Sequence, residues 1–381
     1  MERRQAWSHL PLGLLGMALL VLAVESSIRF RLDAISDWMS FTWRYASQSI
    51  REPASRADVV FLGDSLMKGG VLPALFDSKS GTASYNLSIQ GGTAPSSYFL
   101  LKRLLDSGGR PRLVVVDFHP NLLAIAPRST EYWADLLSVP ELADLCWQAS
   151  DPALFAKTAL HQMFPSYRHR TQVRAAVIAS FRGEAGYAKR FNDLLRINYQ
   201  RNGGARLMPV QDQVVTIDPQ FKFESHHRAW SPHRTNVVYV RRLLKLAEAS
   251  EIVVAWLLPP TSPDWLNRRR SMNAEAPHDA FVKAMQSEFP SLVVIDGREA
   301  GYPNSAFRDL THLHAQGASE LSLGLASLLN PLLKKSPPGI HRSSHQWLRP
   351  PSYQGSPIDP DLVIFDETQV ALRPAGAARS R

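Results

Sequence analysis

Residues 57–66 read Ala-Asp-Val-Val-Phe-Leu-Gly-Asp-Ser-Leu, and the rest of the chain is read outward from them. Val59, Val60, Phe61 and Leu62 form a short apolar run with no polar alternation. A strand that is apolar on both sides belongs inside a sheet covered on both faces, the setting of parallel sheets. The run stops at Gly63-Asp64-Ser65, so a turn follows the strand and a helix follows the turn. A serine at that point is presented at the carboxyl edge of the sheet, where the first N–H groups of a helix have no helical partners. Asp and Ser are also ordinary helix caps, so Gly63 to Leu66 taken alone leave a reactive serine and a structural cap both open.

Outward from this stretch the pattern repeats. Strands are predicted at 83–89, 112–117 (RLVVVD), 251–258 (EIVVAWLL) and 292–296, and helices at 95–107, 236–249, 276–289 and 317–333. Strands alternating with helices imply an α/β fold, a parallel sheet sandwiched by helices in three layers, with any site beyond the carboxyl ends of the strands. The body spans 57–335. Residues 130–235 break the rhythm, reading as helical to about 200 and then as loop-rich around Gly203-Gly204, and are taken as an insertion over the sheet. Residues 31–56 read as a stalk with an amphipathic helical pattern over 33–50. Beyond Ser336, 7 prolines in 46 residues with little periodicity predict a mostly disordered tail. No internal repeat is present.

Composition narrows the function classes. Across 381 residues, 45% are hydrophobic and 20% charged, which excludes wholesale disorder, collagen-like and coiled-coil architectures. The net charge of +9 invites a nucleic-acid partner, but residues 151–245 hold 16 Lys/Arg and 6 Asp/Glu, so this one segment carries the excess. Tyr167, Phe181, Tyr187, Phe191 and Tyr199 lie among its arginines. Outside the cytoplasm that field suits a solvated helix face, an anionic polysaccharide or phospholipid headgroups, and no nucleic acid is assigned. The single cysteine, Cys146, excludes an internal disulfide framework and a multi-cysteine zinc site. His226, His227 and His233 lie close together without acidic residues at ligand spacing, so they read as polar loop residues and no metal is assigned. Trp133, Trp147, Trp230, Trp256 and Trp265 could stack on sugar rings or serve packing.

The compartment follows from the amino terminus. Residues 5–24 (QAWSHLPLGLLGMALLVLAV) carry no formal charge, follow Arg3 and Arg4, and end at Glu25. About 20 such residues span a bilayer as a helix. Arg3 and Arg4 favour a cytoplasmic amino terminus, although Arg29 and Arg31 oppose them. A cleaved signal peptide and a buried soluble helix are the rival readings, and the small-x-small cleavage pattern around Ala23 to Ser27 is poor. The expectation is a single-pass anchor over 1–30 with the body outside the cytoplasm, periplasmic or at the cell surface.

The second chemical element is Asp309-Leu310-Thr311-His312-Leu313-His314, followed by Gly317. A serine hydroxyl becomes a nucleophile only when a base takes its proton, and imidazole suits that role near neutral pH. An aspartate three residues upstream can hold the other ring nitrogen, fixing the tautomer and stabilising the imidazolium. An isolated Asp-x-x-His is ordinarily a capped loop turn. Near the end of an α/β chain that opens with Gly63-Asp64-Ser65-Leu66, it reads as a base and its orienter.

Taken together these segments resemble the SGNH, or GDSL-type, hydrolase superfamily over residues 57–333 minus the insertion. The resemblance implies Ser65 as nucleophile and oxyanion donor through its N–H. Asn86-Leu87-Ser88-Ile89-Gln90-Gly91 is similar to the second family block and implies a Gly91 N–H in the oxyanion hole, and Asp309 with His312 is similar to the last. The third block departs: where the family carries Gly-x-Asn-Asp, this chain has Asp117-Phe118-His119-Pro120-Asn121, so Asn121 or His119 would supply that donor. The anchor, the insertion and the variant block are more similar to members that add or remove acyl groups on bacterial cell-surface polymers. The expected activity is a cofactor-free serine esterase or O-acyltransferase acting through an acyl-enzyme on acyl (acetyl) esters of a surface polysaccharide. The alternative is a catalytically silent module that binds a glycan or scaffolds a synthesis complex, with a membrane partner.

Overall fold

The computed structural model describes residues 12–127, 130–183, 186–209, 230–334, 346–358 and 362. Five strands, β1 Val59–Leu62, β2 Ser84–Asn86, β3 Leu113–Val116, β4 Val253–Leu258 and β5 Val293–Asp296, pair in parallel in the order β2-β1-β3-β4-β5. Before β1 come α1 Leu12–Phe30, α2 Leu32–Ile35 and α3 Trp38–Ser49, and after it α4 Ser65–Gly70 and α5 Pro73–Ser80. α6 Ala94–Asp106 links β2 to β3, and α7 Pro120–Ala124 follows β3. The insertion carries α8 Thr130–Leu136, α9 Val139–Ala149, α10 Pro152–Met163, α11 Pro165–Arg168, α12 Arg170–Phe181 and α13 Tyr187–Arg201. The chain returns through α14 Arg234–Ala249 to β4, then α15 Pro263–Ser271 and α16 Glu275–Glu288 lead to β5, and α17 Ala315–Lys334 follows.

Because successive strand residues point to opposite faces, the uninterrupted apolar runs feed two cores at once. Val60, Leu62, Val114, Val116, Val254 and Trp256 pack under α6, α14 and α16 on one face. Val59, Phe61, Leu113, Val115, Ala255 and Leu257 pack under α5 and α17 on the other. Each Val, Leu or Phe among them stabilises the fold by about 1.5–3 kcal/mol relative to leaving it in water. The strand order reverses between β1 and β3, so their carboxyl ends open the crevice in which doubly wound sheets place their ligands.

Two segments differ from their sequence reading. Residues 33–50 are not a stalk: Phe41, Trp43 and Ala46 of α3 are buried, and Phe41 joins Phe191, Leu195 and Tyr199 of α13 in a small core of its own. The amphipathic pattern is real, but its apolar face packs on the body instead of extending away from it. Trp43 also donates its indole N–H to the Gln90 carbonyl at 3.0 Å. In the tail, Leu348 bridges Ile295 in parallel and exchanges backbone hydrogen bonds of 2.8 Å with Val294 and Asp296. Leu348 therefore adds a single bridge at the β5 edge, and Trp347 and Leu348 supply apolar contacts that the proline content obscures. Of the five tryptophans considered for sugar stacking, Trp133, Trp256 and Trp265 are buried in the interior, whereas Trp147 is 81% exposed.

The described part of the amino-terminal apolar stretch lies in α1, where Gly13–Phe30 is long and apolar enough to cross a membrane, with a mean hydropathy of 1.7. The stretch begins at residue 5, outside the described residues. Glu25 is buried at the far end of α1, where its carboxylate accepts the Ser166 N–H at 2.9 Å and the Ser166 hydroxyl. Arg29 donates to the Gln162 carbonyl at 2.6 Å. Helix and insertion are thus joined by polar bonds where the apolar stretch gives way to the body.

Trp43→Ala should lower the free energy of unfolding by about 3–5 kcal/mol, the usual cost of truncating a buried large aromatic side chain. A chemical-denaturation midpoint measured in detergent checks it. A change within 0.5 kcal/mol would restore the stalk reading.

Candidate active site

Ser65 is the first residue of α4, and Asp64 caps that helix by accepting the Leu66 N–H at 2.8 Å. The Leu66 N–H is taken up by the cap, and the Ser65 N–H is a first-turn donor beside the hydroxyl. The turn is fixed from beneath by β3. Asp117 accepts the Asp64 N–H at 3.0 Å, and Asp64 accepts the His119 N–H at 3.0 Å. A Cβ on Gly63 would fall 1.5 Å from Asp117 Oδ1, so no other residue fits between the two strand ends. Burial, with the Asp64 carboxylate nearby, pushes the Asp117 carboxyl well above the usual carboxylate range.

The other half of the site comes from the loop between β5 and α17. Phe307 bridges Leu313 in antiparallel fashion, Arg308 donates to the His312 carbonyl at 2.8 Å, and the Ser262 hydroxyl holds the Leu310 carbonyl at 2.6 Å. Gly317 lets α17 approach: a Cβ there would lie 2.8 Å from the Ala306 carbonyl. Within this loop Asp309 accepts the N–H groups of Thr311 and His312 at 2.9 and 2.8 Å. Its carboxylate meets His312 Nδ1 at 2.8 and 3.0 Å, and His312 Nε2 meets Ser65 Oγ at 2.8 Å. Burial opposes charge on Asp309, but the hydrogen bond and charge of His312 and the two N–H groups outweigh it and hold the carboxyl well below its ordinary value. A carboxylate fixed on Nδ1 leaves Nε2 to accept the hydroxyl proton, the arrangement a serine nucleophile needs.

The Gly91 loop lies against the same turn. Gly63 O accepts the Ile89 N–H at 3.1 Å and would lie 2.8 Å from a Cβ on Gly92. Gly91 adopts a left-handed backbone with φ +68°, and Trp43 of α3 secures the adjacent Gln90 carbonyl. Asn86 ties β2 to α4 by donating to the Met67 and Val71 carbonyls at 2.9 and 3.0 Å.

At the variant third block the side chain that borders the site is that of His119, which lines a cavity together with Leu66 and Thr311. Asn121 is the second residue of α7, and its N–H donates to His119 Nδ1 at 3.2 Å. That bond places the proton of the neutral ring on Nε2. Burial, reinforced by Arg269 and His312, pushes His119 down to about 3. The short helix is held by Asn236, whose amide donates to the carbonyls of Leu122, Leu123 and Ile125 at 2.8–2.9 Å. Three features lay outside the sequence reading: the Asp64–Asp117 pair, the Asn236 anchor and the cavity wall contributed by α15 and α16. Only the apolar strand running into Asp117 marked the first of them.

Of the other candidates, His226 and His227 lie outside the described residues, while His233 caps α14 by accepting the Thr235 N–H at 3.3 Å. Among the described residues no group of three or more His, Cys, Asp and Glu side chains is placed to hold a metal ion. In comparisons with known proteins, no family model and no curated protein matches the chain.

Gly63→Ala should abolish folding or drive the two strand ends apart, read as loss of soluble, protease-resistant protein, because the new methyl occupies the Asp117 carboxyl. pH supplies a second expectation. His119 and His169 are pushed down to about 3 and His278 also lies well below its ordinary value, in each case chiefly by burial. Unfolded, these rings take up protons near pH 6.5. Unfolding therefore binds protons between about pH 6.5 and 3, and stability should fall as pH falls through that window. Urea midpoints across the range check this, and His119→Gln should flatten the slope.

Proposed function

We propose that the chain is an SGNH-type serine esterase or O-acyltransferase, anchored by α1 with its body outside the cytoplasm, acting on short acyl esters of a cell-surface polysaccharide. The observation that carries this reading is the relay from Ser65 Oγ to His312 Nε2 and from His312 Nδ1 to Asp309, at 2.8 Å in each step. His312 takes the hydroxyl proton as Ser65 Oγ bonds to the ester carbonyl carbon, and the carbonyl π electrons move onto oxygen. The N–H groups of Ser65 and Gly91 receive that oxyanion, with His119 Nε2–H or the Asn121 amide as the third donor. Collapse expels the alcohol, which leaves with the proton from His312, and an acyl-Ser65 ester remains. Water then gives hydrolysis, and a sugar hydroxyl gives transfer. The steps need no metal or cofactor.

A donor of this kind is worth about 2.7–4 kcal/mol of transition-state stabilisation, so replacement of the family's Gly-x-Asn-Asp bears directly on rate. His119 supports an occupied third position, since it is neutral, keeps a donor hydrogen and borders the site. The exposed α12 and α13 residues Phe181 and Tyr187, 89% and 60% exposed, sit in the basic insertion and suit an anionic surface or polymer.

A fluorophosphonate probe should label the wild type and not Ser65→Ala. Asp309→Asn should reduce kcat/KM on p-nitrophenyl acetate by about 10³–10⁴-fold, as loss of the orienting carboxylate does in serine triads generally. Absence of labelling and turnover in the wild type would favour the silent glycan-binding module.

A further inference from the structure

The cavity beside the site carries groups that ester cleavage leaves unused. Leu66 and Thr311, the sequence neighbours of Ser65 and His312, line it with His119, and Trp265, Arg269 and His278 complete the wall, enclosing about 30 Å³. His278 is 1% exposed and Arg269 5% exposed. Neither ring nitrogen of His278 has a hydrogen-bond partner in the protein, and neither does Arg269 Nη2, although Arg269 Nε is bonded to Glu275. Trp230 packs at a near right angle against the His278 ring, with ring centres 5.1 Å apart. Buried polar atoms are almost always paired, and three unpaired ones lining one cavity beside a nucleophile suggest a ligand that pairs them.

The charges around the cavity select the ligand. Arg269 is bonded to Glu275, while Arg298 is bonded to Glu275, Asp279 and Asp296. Two guanidinium groups are therefore already matched by three carboxylates, and a further carboxylate entering the cavity would add uncompensated buried negative charge. An ammonium group has only donors and would leave the unpaired Arg269 Nη2, also a donor, without an acceptor. An all-carbon tail would leave the three polar atoms unpaired. An uncharged hydroxyl meets these charges and pairs two of the three atoms, accepting from Arg269 Nη2 and either donating to or accepting from one nitrogen of the neutral His278 ring. The volume admits only a few atoms, about what two or three water-sized groups occupy.

We infer that this cavity is the acyl-tail subsite and that the transferred or cleaved group is a short hydroxyacyl ester. The inference rests on the serine-ester reading above and names its substrate class. A site built to bond a hydroxyl rejects the analogue lacking it far more strongly than an apolar pocket rejects a missing methylene.

The test uses the full chain in detergent with p-nitrophenyl 3-hydroxybutanoate, butanoate, acetate and hemisuccinate, and with the fluorophosphonate probe as a separate measure of the nucleophile. The expected result is a kcat/KM at least tenfold higher for the hydroxybutanoyl than for the butanoyl ester. His278→Leu and Arg269→Met, made separately, should each cut that ratio to within about threefold of one, with retained probe labelling showing that the variant folds. Should a variant not fold, the wild-type ratio alone still decides. Labelling with equal rates on the two butanoyl esters would mean the cavity holds water only, overturning the inference and leaving the esterase reading intact. Preference for the hemisuccinate would overturn it in favour of a carboxylate subsite. Absence of both labelling and turnover would remove the serine-ester reading and the inference with it.

Discussion

The hydrogen bond from the Asp64 N–H to the Asp117 carboxyl, 3.0 Å long, joins β1 to β3 at the point where the sheet reverses its winding. Parallel strands diverge beyond their last ladder bond, and without a bridge the turn after β1 would be free to take several conformations. The carboxyl group replaces the missing ladder. It can do so only because the position before Asp64 has no side chain, and burial beside the Asp64 carboxylate pushes the Asp117 carboxyl well above the usual carboxylate range. Everything that defines the site is measured from this clamp: the start of α4, the hydroxyl of Ser65, and the His119 N–H that closes on the other oxygen of Asp64.

The clamp sets one half of the site, and the short loop 306–314 brings the other across 247 positions of sequence. The loop is a small rigid unit, since its carbonyls and N–H groups are satisfied by Ser262, by its own bridge and by Asp309. His314 completes it by accepting N–H groups at the start of α17 and donating to Ser305 at 2.6 Å. Preorganisation of this kind means that orientation of the imidazole is settled by folding and not by substrate.

Much of this was legible in the residues themselves. Apolar runs without alternation located β1, β3, β4 and β5, the more polar 83–89 segment held β2, and the pairing of Gly63-Asp64-Ser65-Leu66 with Asp309-x-x-His312 located residues that the fold brings together. What escaped reading did so for identifiable reasons. α3 carries the same amphipathic spacing whether it packs on its own body or on nothing, so pattern alone could not place Trp43 beneath the Gly91 loop. Proline content in the tail described backbone stiffness but was silent on the bridge that Leu348 makes. The cavity is assembled from positions 66, 119, 265–278 and 311, and no local window contains more than a fraction of it. Arg269 and Arg298 look like solvated surface charge in sequence, whereas the fold turns them inward against Glu275.

Glu25 has a mechanical consequence. Many anchored enzymes hang from a slack linker and sweep a volume, but here the helix that carries the apolar stretch continues unbroken into bonds with Ser166 and Gln162. If α1 sits in a bilayer, the crevice beyond β1 and β3 stands on a pillar, at one height and one heading above the lipid. On the acyl-ester reading proposed above, a site so held would meet polymer chains fed past that level from the membrane, in the manner of a tool fixed beside a moving thread, more readily than material drifting free in the surroundings.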